Sequence, residues 1–375
     1  MWSGGQSANM PTLVQWYMVV AFLAVSSIIS LGRCIQTVHA AESSFCGMLR
    51  FMETFRFTCA EYRMYSADGF ELAMHRVGRK TTADSRAAPV LIMHLEFLNG
   101  DSWFQFTDAA DRLLPLLLVD AGFDVWIGHE RATYWSHGHL DLETTDTRYW
   151  DWTWDDHAHY DVPVYLDFIN NITGSSVHYI GLSESATAGA ATATMLQNSL
   201  LIRSLTLIGP TIYIGDTNSI VMAAWAFIFG DIIDEGNYEI GYQSGAFNFS
   251  TAFPGIIFIN GQGILAPAMG VISGMRTNTW RRFDYGSAAN NTQAYGVPTV
   301  PTYYPEDIPT YIPILVIYGG NDSYAPPAGV QHLLSHLRNA ESVFLPDYAH
   351  YDLMWSYKRT QDIFVPILGF LERHR

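Results

Sequence analysis

Three features of the sequence predict an α/β fold built on a mostly parallel sheet with helices on both faces. Apolar runs alternate with helical segments, a serine stands just after one run, and an acid and a histidine stand just after two later ones. Alternation of this kind needs crossover connections, which place successive strands parallel and bury both faces of the sheet.

In chain order, Glu61 to Val77 reads as a hairpin, two β-rich runs around Asp68-Gly69. Strands are then expected at Val90 to Phe97, Phe123 to Ile127, Val177 to Ser183, Ser204 to Gly209, Ile312 to Tyr318 and Val343 to Pro346. In parallel sheets chemistry gathers at the carboxyl ends of the strands. Between Thr211 and Tyr295 the rhythm breaks into aromatic and aliphatic sequence such as Ala223 to Phe229, too short to span a bilayer and interrupted by Gly230-Asp231. It reads as a cap over residues 211–295, inserted into the sheet domain. The extended return is punctuated by Pro298, Pro301, Pro305, Pro309 and Pro313.

The serine lies in Gly181-Leu182-Ser183-Glu184-Ser185, followed by a helix of almost entirely small residues. The pattern G-x-S-x-G marks a sharp strand-to-helix turn that lifts the hydroxyl off the sheet and lends the next backbone N–H to an oxyanion. Ser185 replaces the second glycine and is nearly as small, so the turn is expected to survive. A serine hydroxyl needs a histidine to take its proton and a carboxylate to orient that imidazole. Asp322 in Gly319-Gly320-Asn321-Asp322 and His350 in Asp347-Tyr348-Ala349-His350 supply them in the order Ser, Asp, His.

Hydrophobic residues make up 49% of the 375-residue chain and charged ones 15%, which excludes a disordered polypeptide. The formal net charge is −16 and no Lys/Arg cluster is present, which argues against a nucleic-acid partner. Residues 1–40 read as a secretory signal: an apolar stretch from Leu13 to Leu31 precedes Val38-His39-Ala40. The stretch is long and no Lys or Arg precedes it, so an uncleaved anchor over residues 13–32 is the alternative. Cys34 would leave with the signal, and Cys46 and Cys59 would remain, either as a disulfide or as two buried thiols. Acceptor triplets for glycosylation begin at Asn171, Asn248 and Asn290. No metal is expected: His157 and His159 stand two apart on a helix and do not share a face, and His137 and His139 lie in a loop.

From about Cys46 to the C-terminus the chain resembles the acid lipases, the gastric and lysosomal enzymes and especially their plant triacylglycerol-lipase relatives. The marks are Asp68-Gly69-Phe70, Met93-His94 with Trp103, Phe123 to Ile127, Tyr149 to Asp155, Tyr160 to Pro163, Tyr179 to Gly181, Phe283 to Gly286, Gly319 to Asp322 and Tyr348 to His350. The resemblance implies an α/β-hydrolase domain over residues 41–375. It makes Ser183, His350 and Asp322 the nucleophile, base and orienting acid of an ester hydrolase for lipophilic substrates, without a cofactor.

The departures from the family pattern fall around the oxyanion. The family's His-Gly-Leu is His94-Leu95-Glu96 here, its Asn-x-Arg-Gly is His129-Glu130-Arg131-Ala132, and its Gln or Leu after the nucleophile is Glu184. The backbone N–H groups of Glu96 and Glu184 are thus the expected oxyanion donors. A carboxylate about 5 Å from an oxyanion costs roughly 3 kcal/mol at an effective dielectric of about 20, so hydrolysis is expected to be favoured by acidic pH. Two readings follow: a serine ester hydrolase whose cap also contacts lipid interfaces, or a hydrolase-fold protein that has lost efficient catalysis and binds a lipophilic ligand or partner. Nothing in the sequence speaks to oligomeric state.

Overall fold

The computed structural model describes residues 46, 57–79, 87–96, 98–104, 113–195, 200–215 and 277–375. Among them nine strands form one sheet: β1 (Phe57–Tyr65), β2 (Phe70–Arg79), β3 (Pro89–Ile92), β4 (Asp124–His129), β5 (Gly138–His139), β6 (Val177–Leu182), β7 (Ile202–Ile208), β8 (Ile314–Gly319) and β9 (Ala340–Leu345). Their order is β1-β2-β4-β3-β6-β7-β8-β9, with β5 attached to β2. From β4 onward every pairing along this path is parallel, whereas β1, β2 and β5 are antiparallel additions.

Burial on both faces explains why the central strands read as unbroken apolar runs. Trp126, Tyr179, Leu207 and Val316 face one hydrophobic layer, and their neighbours Ile127, Ile180, Ile208 and Ile317 face the other. The α-helices among the described residues are α1 (Leu114–Asp120), α2 (Trp154–Asp156), α3 (Val162–Thr173), α4 (Glu184–Met195), α5 (Ala288–Tyr295), α6 (Pro327–His336), α7 (Asp352–Trp355) and α8 (Val365–Arg373). Thr153 and Asp156 form a reciprocal cap at the start of α2, which runs through one wide turn, His157–Asp161, into α3.

Two strands differ from expectation. β3 stops at Ile92 rather than continuing to Phe97, because His94 Nδ1–H and the Leu98 N–H both donate to the Leu95 carbonyl and close a turn. β9 begins at Ala340, ahead of Val343. It lies at the sheet edge with Glu341 and Ser342 exposed, so its first half carries no apolar signature.

Arg131, fully buried after β4, joins three segments. Its guanidinium donates to Asp161 in the turn before α3 (3.0 and 2.7 Å) and to Asp68 in the β1–β2 turn (2.6 and 3.2 Å), and it lies over the Phe70 ring. Cys46 and Cys59 form a disulfide with 5.4 Å between their Cα atoms, tying the chain ahead of the sheet to β1. Asn171 and Asn290 are exposed. Residues 1–40 and Asn248 lie outside the described residues, as do positions 216–276 of the expected cap. No helix among the described residues is long and apolar enough to cross a membrane.

His178, near the start of β6, is buried, and its Nδ1 bonds to Ser204 Oγ at 2.7 Å. Burial, helped by the nearby charges of Arg203, His374 and Arg375, pushes its pKa down to about 3. Below the ordinary histidine value of about 6.5 the unfolded chain therefore binds the proton that the folded chain refuses, and stability falls as pH drops through that window. We predict that His178→Gln, compared with wild type by urea unfolding between about pH 6.5 and 4, removes a slope of up to about 1.4 kcal/mol per pH unit. Parallel pH profiles would contradict this.

Candidate active site

Ser183 occupies a left-handed turn between β6 and α4, with φ at +64°. That conformation costs a non-glycine residue about 1–3 kcal/mol, and the surrounding residues hold it in place. Its N–H donates to the Ile208 carbonyl at 2.8 Å, extending the β6–β7 ladder by one residue. A side chain at Gly181 would lie 2.6 Å from the Ser185 carbonyl oxygen, so the first turn of α4 folds back on the strand only over a glycine. Ser185, in the second glycine position, uses its hydroxyl as a clasp: Oγ accepts the Leu182 N–H (3.0 Å) and donates to the Leu182 carbonyl (3.1 Å). Gly189 gives Tyr179 room, since a Cβ there would sit 2.1 Å from the ring, and the Tyr179 hydroxyl donates to the Ser185 carbonyl at 2.6 Å. The small residues of α4 thus let the helix lie against β6.

His350 and Asp322 reach Ser183 from the ends of β9 and β8. Asp322 Oδ1 accepts the backbone N–H groups of Tyr324 (2.9 Å) and Ala325 (2.7 Å), and Oδ2 lies 2.8 Å from His350 Nδ1. A carboxylate only accepts, so Nδ1 carries the proton. His350 Nε2 is then the acceptor for the Ser183 hydroxyl, 2.8 Å away. All three side chains are buried. Tyr324, which sequence reasoning did not single out, stacks on the His350 ring with centroids 5.1 Å apart and planes 27° apart. Gly209 was missed as well: a Cβ there would approach His350 Cε1 at 3.3 Å.

The residues expected beside the oxyanion lie in a strongly polar interior. Glu184 opens α4, where its N–H has no intrahelical acceptor. Its carboxylate turns to His157, whose Nδ1 lies 3.1 Å from Oε1, and Glu130 Oε2 lies 3.8 Å from the same nitrogen. Glu96 is half-buried in the turn after β3, with its Oε1 atom sheltered from solvent. Burial first, and then the charge of Glu184, push its carboxyl up to about 8, a direction that favours the protonated form and weakens the repulsion expected from it. Burial likewise raises Glu130 well above the ordinary carboxyl range, with Glu184 adding to the shift. For His157 burial acts downward, but Glu184 and Asp161 together outweigh it and the pKa is raised. His94 is neutral: burial pushes it down to about 4, Nδ1 donates to the Leu95 carbonyl, and Nε2 accepts the Glu130 N–H at 3.1 Å. Leu95, which stands where the family has glycine, is buried in the second core layer.

His157 and His159 do not come together, since His159 Nε2 meets the Tyr303 hydroxyl at 3.0 Å. His139 Nε2 lies 3.0 Å from the Asp68 carbonyl, and its Nδ1 accepts two backbone N–H groups.

A buried serine on a left-handed strand-to-helix turn, hydrogen-bonded to a histidine and through it to an aspartate at the carboxyl edge of a mostly parallel sheet, defines an α/β-hydrolase. Solved structures agree on the fold. A thermophilic esterase from Thermogutta terrifontis matches with a TM-score of 0.50 at 17% identity, over 84% of this chain and 99% of its own. A putative lipase from Acinetobacter baumannii matches at 0.51 and 16%, over 90% and 100%. No protein-family profile matches the chain. Among curated proteins, triacylglycerol lipase 1 of Arabidopsis thaliana is 26% identical over 94% of this chain and 97% of its own length, and triacylglycerol lipase 2 of the same plant is 28% identical over 85% and 86%. Human lysosomal acid lipase/cholesteryl ester hydrolase is 26% identical over 85% and 89%. The curated relatives are thus plant triacylglycerol lipases and lysosomal acid lipases, and the chain is similar to the acid lipase family of α/β-hydrolases.

The Ser185 clasp generates a prediction. Ser185→Ala leaves the buried Leu182 N–H without that acceptor and should lower stability by about 1–3 kcal/mol in denaturant unfolding. A change below about 0.5 kcal/mol would mean that the elbow holds without it.

Proposed function

We propose that the protein is a serine carboxylic ester hydrolase acting on lipophilic esters. The observation that carries this reading is the Ser183–His350–Asp322 hydrogen-bond relay, assembled after the carboxyl ends of β6, β9 and β8. Ser183 Oγ attacks the ester carbonyl as its proton passes to His350 Nε2, and Asp322 holds the resulting imidazolium. The oxyanion is received by the backbone N–H groups of Glu184 and Glu96. Collapse expels the alcohol, which takes the proton from His350. Water, activated by the same imidazole, then releases the acyl group from Ser183.

Lipophilic substrates are favoured by the aromatic surroundings of the relay. Tyr351 stacks on Trp355, planes 7° apart, and its ring centroid lies 5.7 Å from that of Tyr324. The apolar composition of residues 211–295 points the same way and suits contact with a lipid interface. The names of the relatives, triacylglycerol lipases and a lysosomal acid lipase, support both the ester chemistry and a route through the secretory pathway to the exterior, a vacuole or a lysosome. The N-terminal apolar segment, the Cys46–Cys59 disulfide and the exposed acceptor asparagines Asn171 and Asn290 are consistent with that route.

A fluorophosphonate probe tests the assignment. Labelling of the purified protein is expected at pH 5 or pH 7 and is abolished in Ser183→Ala. Asp322→Asn keeps the hydrogen-bonded shape but favours the wrong imidazole tautomer, and should lower ester turnover by about 10⁴-fold. Absence of labelling in a folded wild-type protein at both pH values would overturn the enzymatic reading in favour of a ligand-binding hydrolase fold.

A further inference from the structure

Directly behind the nucleophile, three elements bring unlike donors together. Glu130 comes from the end of β4, His157 from the turn between α2 and α3, and Glu184 from the first residue of α4. One donor atom from each lies within 4.8 Å of both others, and all three residues are buried. His157 Nδ1 is 3.1 Å from Glu184 Oε1 and 3.8 Å from Glu130 Oε2. The second carboxylate oxygens, Glu130 Oε1 and Glu184 Oε2, are buried without a hydrogen-bond partner, as is Glu96 Oε1 nearby. The cation closest in sequence, Arg131, is held by Asp68 and Asp161. A protonated His157 would offset one of the two glutamates, which leaves the other carboxylate charge uncompensated in the interior.

We propose that Glu130, His157 and Glu184 form a binding site for a divalent transition-metal ion, Zn²⁺ or Mn²⁺. One imidazole nitrogen with two carboxylates suits these ions, whereas Ca²⁺ and Mg²⁺ select all-oxygen shells. Donors about 2.0–2.2 Å from such an ion stand roughly 3.3–3.6 Å from one another at tetrahedral angles, so small rotations of the two glutamates close the site. The unpartnered oxygens Glu130 Oε1 and Glu184 Oε2 are available as further ligands. A dication here offsets the two carboxylates and fixes Glu184, whose backbone N–H adjoins Ser183. Because the site is buried, the ion enters during folding. The proposal stands apart from ester hydrolysis and is read without it.

The test uses the full chain, produced in medium supplemented with Zn²⁺ or with Mn²⁺, stripped of loosely bound ions by a chelator and analysed for metal by mass spectrometry. His332, exposed, and His336, half-buried, meet edge to face one helical turn apart, with His336 near Glu306, and would collect such ions at the surface, so His332→Ala is the background for every measurement. About one equivalent should remain in that background and fall at least about tenfold in Glu130→Gln and in Glu184→Gln. The variants should also lose the difference in melting temperature between metal-supplemented and metal-depleted preparations. A folded background protein free of metal from both media overturns the proposal and leaves protons as the neutralising charge, as does equal retention in the glutamine variants. If those variants do not fold, X-ray absorption of the Zn²⁺-loaded background protein decides. A shell of one imidazole with oxygens supports the site, and two or more imidazoles refute it.

Discussion

The left-handed turn at Ser183 is the constraint on which the site depends. A serine held at positive φ stands off the sheet, free of the ladder on its side-chain face, yet its N–H still belongs to the sheet through Ile208. The conformation is unfavourable in isolation and persists because contacts on both sides leave the chain no alternative path. Gly181 permits the backbone to double back, Ser185 fastens the returning chain to Leu182, and Gly189 with Tyr179 sets the helix at close range. The helix that follows is therefore composed for proximity rather than for a broad apolar face.

Around this turn the molecule tolerates an unusual amount of buried charge, and it does so in two ways. Arg131 is matched by two aspartates with several direct hydrogen bonds, so the guanidinium and its partners satisfy one another. Glu130 and Glu184 share His157, and these two and Glu96 each leave one carboxylate oxygen unpaired. The first arrangement is complete within the chain, whereas the second needs protons or a cation from outside it. Protein interiors rarely leave such groups unanswered, which sets the glutamate cluster apart from the rest of this core.

Much of this was legible in the sequence, for identifiable reasons. Central parallel strands are buried on both faces, so Val177 to Ser183 and Ile312 to Tyr318 stand out as apolar runs, and Ser183, Asp322 and His350 are punctuated by glycine or turn residues at their ends. The edge strand was harder, because Ala340 to Ser342 are held by the β8 backbone and need no apolar side chains. The glutamate cluster was not visible as a unit. Glu96 and Glu184 were noticed for their backbone positions beside the serine, and His157 only in relation to His159. Their meeting with Glu130 depends on crossovers that separate them by tens of residues, and on a wide turn that aims His157 at α4 and His159 at Tyr303.

The close packing of the β8 and β9 ends has a further consequence. Gly319 and Gly320 lie so near Tyr348 and Pro346 that any side chain would collide with main-chain oxygens 2.2 Å away, and the Asn321 N–H donates to the Tyr348 carbonyl at 3.0 Å. The segment bearing the aspartate and the segment bearing the histidine are thus laced together through their backbones. Main-chain packing thereby holds the two segments, and with them the proton-transfer geometry, in a fixed relation. The chemistry is preorganised by this packing, and the entropy of assembling the acid–base pair is met once, at folding, and not at each turnover.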